Sequence, residues 1–172
     1  TNSLTVTAAD ADITDGTQIT TITGGTGSDT LEITMTSAGP IAITDTHLAQ
    51  VTKVDKFEIQ NNVATSLTIS DANVVGTSTS SDTLTLDLTA LTSAAATVDA
   101  SAENDGRVVI LTGGGGDTIT GSTSTNYGDS ITTGAGADTV DAGAGNDTIT
   151  GGAGADSLTG GDDSDTFIYT AV

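Results

Sequence analysis

Gly151-Gly152-Ala153-Gly154-Ala155-Asp156-Ser157-Leu158-Thr159 decides the fold of this chain, because the same nine-residue arrangement repeats in register on either side of it. Before it stand Thr133-Gly134-Ala135-Gly136-Ala137-Asp138-Thr139-Val140-Asp141 and Ala142-Gly143-Ala144-Gly145-Asn146-Asp147-Thr148-Ile149-Thr150. After it comes Gly160-Gly161-Asp162-Asp163-Ser164-Asp165-Thr166-Phe167-Ile168. Asp129, Asp138, Asp147, Asp156 and Asp165 therefore recur every nine residues, each followed two positions later by Ile131, Val140, Ile149, Leu158 or Phe167.

Each position in the unit has a physical task. The glycine-rich half turns through positive φ without a Cβ penalty, and Asn146 and Asp163 belong to the few other residue types that tolerate such angles. The Thr-Ile-Thr half makes a very short strand, apolar inward and polar outward. Two strands and two turns then fill eighteen residues, so the chain winds as a flat coil. Ile131 and Ile149 are expected to stack in one column, Val140 and Leu158 in the other.

Eighteen-residue coils also place Asp138 above Asp156, and Asp129, Asp147 and Asp165 in one row. Such a ladder of like charges repels itself. A hard divalent cation resolves the repulsion: calcium takes six to eight oxygens at roughly 2.3–2.6 Å and accepts carbonyls as readily as carboxylates. Glycine turns expose those carbonyls.

With this pattern the chain resembles the RTX (repeats-in-toxin) family of secreted bacterial proteins, whose nonapeptides G-G-x-G-x-D-x-U-x are a calcium-binding repeat. The resemblance implies an all-β fold, a right-handed parallel β-solenoid, with a β-roll holding Ca2+ between turns at the C-terminal end. It also implies that one ion takes the aspartate and the second and fourth carbonyls of one turn, with the aspartate and the first and third carbonyls of the turn eighteen residues on. Carried over, Asp138, Gly134 and Gly136 pair with Asp156, Gly151 and Ala153; Asp147, Gly143 and Gly145 pair with Asp165, Gly160 and Asp162, the last through its carbonyl. Asp129 and Asp117 extend the ligand row upstream. Asp129 follows Ser124-Thr125-Asn126-Tyr127-Gly128, which lacks the early glycines.

Upstream the period slips. Thr112-Gly113-Gly114-Gly115-Gly116-Asp117-Thr118-Ile119-Thr120 is a good unit, but Asp117 precedes Asp129 by twelve, and a bulged turn within Gly121–Thr125 would absorb the extra three residues. A lone full match lies at Gly24-Gly25-Thr26-Gly27-Ser28-Asp29-Thr30-Leu31-Glu32, without a neighbour at eighteen. Ser3–Thr7 resembles Ser66–Ser70, and Ser28–Thr36 resembles Ser81–Thr89, so two elements recur in the same order. Their alternation of apolar and polar residues argues half-buried strands longer than those of the repeats. Residues 1–111 are thus expected to form wider, irregular solenoid coils, merging through Thr97–Ser101 and Arg107–Leu111 into a calcium roll over 112–172. A short helix fits 45–57, where Leu48, Val51 and Val54 are three apart.

Composition narrows the function. Solenoids of 172 residues add coils without a globular centre, since each coil packs on its neighbours. Two Tyr, two Phe and no Trp leave a thin aliphatic core, so metal binding should supply much of the folding free energy. The formal charge of −20, from 23 acids against Lys53, Lys56 and Arg107, argues against nucleic acid as a partner and against anionic membranes. Acids off the nine-residue period, such as Asp10, Asp12 and Glu103, read as solubilising surface. Cysteine is absent, which excludes disulfides and zinc-thiolate sites. No run is long enough to span a membrane. A start at Thr1 without Met and a stop at Val172, as a repeat is ending, read as a fragment of a longer protein.

Catalysis finds no footing: His47 is the single histidine, without H-E-x-x-H around it, and G-x-S-x-G is absent. The chain reads as no enzyme. Threonine makes up about a fifth of it, and with long strands preceding calcium repeats it resembles RTX-type bacterial surface-layer (S-layer) proteins. That resemblance implies a self-associating lattice or filament on the cell surface, folded by extracellular calcium after type I secretion. A polysaccharide of the cell surface is a candidate anchor. The stalk of a large secreted RTX adhesin, and an accessory module of a secreted enzyme, are the alternatives. A flat threonine rank for ice binding is disfavoured by the irregular spacing of the strands.

Overall fold

The computed structural model describes residues 2–8, 22–23, 29–35, 40–44, 51–52, 54–60, 62–70 and 83–169. Over them run β1 (Asn2–Ala8), β2 (Ile22–Thr23), β3 (Asp29–Met35), β4 (Ile41–Ile43), β5 (Val51–Thr52), β6 (Lys56–Ile59), β7 (Thr65–Ser70) and β8 (Thr83–Leu88). There follow β9 (Ala96–Ala102), β10 (Arg107–Thr112), β11 (Thr118–Thr120), β12 (Ser130–Thr132), β13 (Thr139–Asp141), β14 (Thr148–Thr150), β15 (Ser157–Thr159) and β16 (Thr166–Ile168). Strands shorten to three residues where the glycine turns begin, because a nine-residue unit leaves no more.

Every strand pairing among the described residues is parallel. One sheet runs β1-β3-β6-β8-β10-β12-β14-β16, a second β15-β13-β11-β9-β7-β4, and β2 pairs with β5. Parallel neighbours need a crossover, and here it is half a coil through the opposite sheet. The all-β parallel solenoid implied by the sequence is what the chain forms.

Register fixes the core. Leu31, Phe57, Leu86, Ile110, Ile131, Ile149 and Phe167 share one position across the long sheet. Ile43, Leu67, Val98, Ile119, Val140 and Leu158 share one in the other. From Leu31 to Ile149 and from Ile43 to Val140 these side chains are buried in a single apolar cluster between the sheets. Ile131 stacks on Ile149 and Val140 on Leu158, as the eighteen-residue coil requires. β10 spans the expected boundary at 111/112, and both sheets pass through it without a break.

The bulged turn lies between β11 and β12. Val108 and Asp129 are 21 residues apart across adjacent coils, whereas Asp129 and Asp147 are 18 apart. Ser122 and Ser124 turn inward there and are buried, so the insertion is absorbed inside the stack.

One expectation, the short helix over 45–57, is corrected. Val51–Thr52 and Lys56–Ile59 are strands, and Phe57 stands in the core column of the long sheet. Residues 45–50, including His47, lie outside the described residues. The spacing of three in Leu48, Val51 and Val54 is overridden by Lys56-Phe57-Glu58-Ile59, whose alternation buries Phe57 and Ile59. The likeness of Ser28–Thr36 to Ser81–Thr89 is also offset: Leu31 aligns through Phe57 with Leu86, two residues beyond Leu84. A slip of two keeps the same face inward, so the pattern could not reveal it.

Candidate metal centre

Aspartates occupy one register position, two residues before the core column, and they are joined by a repeated hydrogen bond. The Asp129 N–H donates to Oδ1 of Asp147 at 2.6 Å, and the Asp147 N–H to Oδ1 of Asp165 at 3.0 Å. On the other sheet the Asp117 N–H donates to Oδ1 of Asp138 at 2.8 Å, and the Asp138 N–H to Oδ1 of Asp156 at 3.1 Å. Each carboxylate thus reaches back to the preceding coil. Asp117, Asp129, Asp138 and Asp147 are buried.

The turns beside them stack backbone on backbone. Ala153 N–H donates to Gly134 O at 2.7 Å, Gly136 N–H to Ala153 O at 2.8 Å, and Asp162 N–H to Gly143 O at 2.9 Å. Each of these carbonyls keeps a second lone pair for another partner. Close stacking explains the glycines: Gly152 has φ +88°, and a Cβ on it would lie 2.0 Å from Gly134 O. Asp163, at the place of Gly154 in the last repeat, is the non-glycine residue at positive φ, 75°, among the described residues. Aspartate is one of the types that enter that region.

The second carboxylate oxygen of each rung leans over the first residue of its own turn. A Cβ on Gly151 would meet Asp156 Oδ2 at 2.6 Å, and one on Gly160 would meet Asp165 Oδ2 at 2.0 Å. Oδ2 of Asp138 and Oδ2 of Asp147 are buried and have no hydrogen-bond partner. An ionised oxygen buried without a partner is costly, and a cation is the partner that fits. Among the described residues no three His, Cys, Asp or Glu side chains converge. A cation would therefore be held by carboxylates of successive coils and by turn carbonyls, a donor set of hard oxygens suited to calcium.

Charge in the ladder is visible in its proton affinity. Burial, then repulsion from Asp129, Asp165 and Asp163, pushes the Asp147 carboxyl up to about 6, against the pull of the Asp129 amide. Burial also raises Asp117 and Asp129.

Asp138 with Asp156, and Asp147 with Asp165, are brought together as the repeat demands, flanked by Gly134, Gly136, Gly151 and Ala153 on one side and Gly143, Gly145, Gly160 and Asp162 on the other. The period missed Asp55. Asp29 has its neighbour 26 residues on: its N–H donates to an Asp55 carboxylate oxygen at 2.6 Å, at the ladder's register position. Asp55 precedes Phe57 by two, the same Asp-x-apolar signal as in the repeats but without glycines. Leu84 and Val108 take that position in the next two coils and interrupt the row. Glu103 is buried rather than a solubilising surface acid. Its Oε1 accepts the N–H of Gly106 at 2.7 Å and of Asp105 at 3.0 Å, closing the turn before β10. On the outer face Lys56 pairs with Glu58 at 2.9 Å and Asp87 at 2.7 Å, relieving an acidic row.

Residues 14–32, 111–149, 123–158 and 132–167 match the family model of the RTX calcium-binding nonapeptide repeat, in four copies. No curated protein and no solved structure matches the chain.

Proposed function

We propose that this chain, which belongs to the RTX family by its calcium-binding nonapeptide repeats, is a structural protein of the bacterial cell surface in which calcium drives both folding and subunit association. The carrying observation is the pair of buried, unpartnered oxygens, Asp138 Oδ2 and Asp147 Oδ2, in a stack of carbonyl-rich turns. Without a cation they oppose folding; with one they become its ligands. Secretion through a type I channel suits this chemistry, since the ladder repels itself where calcium is scarce and closes where it is abundant. No catalytic role is assigned to the chain.

Support for an S-layer or filament comes from the surface. The long strands alternate, with Thr83, Thr85 and Asp87 facing away from the core between Leu84, Leu86 and Leu88. The continuous parallel stack also suits the rigid stalk of an adhesin, in which the same roll stays monomeric.

Circular dichroism and light scattering, followed together while calcium rises from chelated to about 10 mM, test the proposal across the weak extracellular affinities of such sites. Folding with a jump in scattering supports a self-assembling layer or filament. Folding without it supports the stalk or an accessory module. A spectrum unchanged by calcium rejects the calcium reading itself.

A further inference from the structure

The repeat places Asp117, Asp138 and Asp156 on one ladder and Asp129, Asp147 and Asp165 on the other, yet their surroundings set the first of each apart from the second. Asp117 receives the Ala96 N–H on Oδ1 at 2.8 Å, and its Oδ2 is the partner of the Thr112 hydroxyl. Asp129 receives the Val108 N–H on Oδ1 at 3.0 Å and the Ser122 N–H on Oδ2 at 2.7 Å. Both oxygens of Asp129 are taken by amides of the chain itself, and both oxygens of Asp117 have a donor of the chain beside them, the Thr112 hydroxyl also facing Thr133 O at 2.8 Å. Asp138 and Asp147 receive one such bond each and keep a buried oxygen unpartnered.

Local sequence explains the difference. Thr112 stands at the first position of the Asp117 turn and supplies a hydroxyl where Gly151 and Gly160 supply only space. Thr133, at the first position of the Asp138 turn, aims its hydroxyl at Gly151 O at 2.8 Å, as Thr112 does at Thr133 O, but makes no hydrogen bond to Asp138 Oδ2. Ala142, first in the Asp147 turn, has none. The inserted residues of the bulged turn bring the Ser122 amide onto Asp129. On the preceding coil, moreover, the ladder position holds Ala96 or Val108, so a cation below Asp117 or Asp129 would meet one carboxylate where the repeat supplies two. Seating it there would also strip buried donors of their acceptors, a cost comparable to that of a lost hydrogen bond for each.

We infer that Asp117 and Asp129 are not calcium ligands but metal-independent locks that fasten the roll to the wider coils, so that the calcium-loaded part of the ladder starts at Asp138 on one sheet and Asp147 on the other. The inference rests on the calcium reading above and departs from the family match, which extends over Asp117 and Asp129. Its consequence is directional. The coils through β12 close in the absence of calcium and present a finished edge, on which β13 to β16 assemble as ions load.

Native mass spectrometry of the whole chain in saturating calcium, wild type against single Asp→Asn variants, reads the division directly. D138N and D147N should each carry fewer ions than wild type, while D117N and D129N should carry the wild-type number. Hydrogen exchange of the unaltered chain in chelator gives a second readout that needs no variant to fold. β8 and β10 should be protected while β14 and β15 exchange freely, and calcium should protect the latter by at least tenfold. Loss of an ion in D117N or D129N overturns the inference, as does exchange of β10 as fast as β14 in chelator. A wild-type chain that binds no calcium at all sinks the calcium reading and this inference with it, whereas an intact ion count in wild type with a loss in D117N sinks the inference alone.

Discussion

The Asp147 amide donates to the carboxylate of Asp165 at 3.0 Å, while the carboxylate of Asp147 accepts from the Asp129 amide at 2.6 Å. Asp117, Asp129, Asp138 and Asp147 are therefore each both a rung and a fastener: the backbone is held by the coil after it, the side chain by the coil before. This bond fixes the height of every carboxylate and crowds like charges in a buried row. Coil stacking and charge repulsion are thus opposed at the same residues, and a cation between coils turns the second into an attraction.

Removing two rungs should abolish calcium-driven closure. The double variant Asp147→Ala plus Asp156→Ala breaks one fastener on each sheet, so calcium should no longer induce β signal in circular dichroism. Asp147→Asn alone should raise the calcium midpoint at least about tenfold, in line with losses seen when metal sites are disturbed. A double variant that responds to calcium as wild type does would remove the carboxylates from the mechanism.

Acidity should act in opposite directions with and without calcium. Asp147 is raised to about 6 in the fold, above the roughly 3.9 of an unfolded chain. A carboxyl raised on folding favours the folded state fully below the unfolded value, and that favour is lost as pH rises through the folded value. In chelator the roll should therefore be more stable near pH 4 than at pH 7, each unit across that window removing up to about 1.4 kcal/mol per such group. In calcium the order reverses, since protons compete for the ligand and the midpoint should rise below pH 6. Urea unfolding at pH 4.5 and 7.5, each with calcium and with chelator, measures all four corners.

Gly152 and Gly116 separate glycine as a necessity from glycine as habit. Gly152 has φ +88° and no room for a Cβ beside Gly134 O, whereas the nearest atom to a Cβ on Gly116 would be Ala137 O at 3.1 Å. Gly152→Ala should cost at least about 1–2 kcal/mol from the backbone conformation alone. Gly116→Ala should cost less than half as much. Equal midpoints for the two variants in urea with saturating calcium would contradict the close stacking of the turns.

The C-terminal roll was legible because one short period governs turn, strand and carboxylate together. Ile131 over Ile149, and Asp138 beside Asp156, follow from counting. The wider coils were not legible in that way, since their lengths differ and each pairing is settled by packing across the solenoid. Asp55 shows the limit: it takes the ladder position next to Asp29 after 26 residues, a spacing that no repeat announces. From sequence Phe57 falls on a helix because three-residue spacing and strand alternation compete over so short a run, and only the neighbouring strands β3 and β8 decide between them. Glu103 reads as surface because an acid off the period carries no sign that two amides of its own turn await it.

One column gives the packing its own test. Phe57 and Phe167 hold the same register position in the long sheet, but Phe57 has a strand on either side and is 1% exposed, whereas Phe167 is 38% exposed at the last coil. Burial on both sides is what makes a truncated ring leave a cavity, so Phe57→Ala should destabilise by about 3–5 kcal/mol. Phe167→Ala removes contacts on one side only and should cost about half as much or less. In a solenoid each coil answers mainly to its neighbours. The two losses should accordingly appear in different places: Phe57→Ala should raise hydrogen exchange in β3, β6 and β8, and Phe167→Ala in β14 and β16. Exchange spread evenly over the chain in both variants would mean that the coils unfold as one unit, and the nearest-neighbour account of this core would have to be given up.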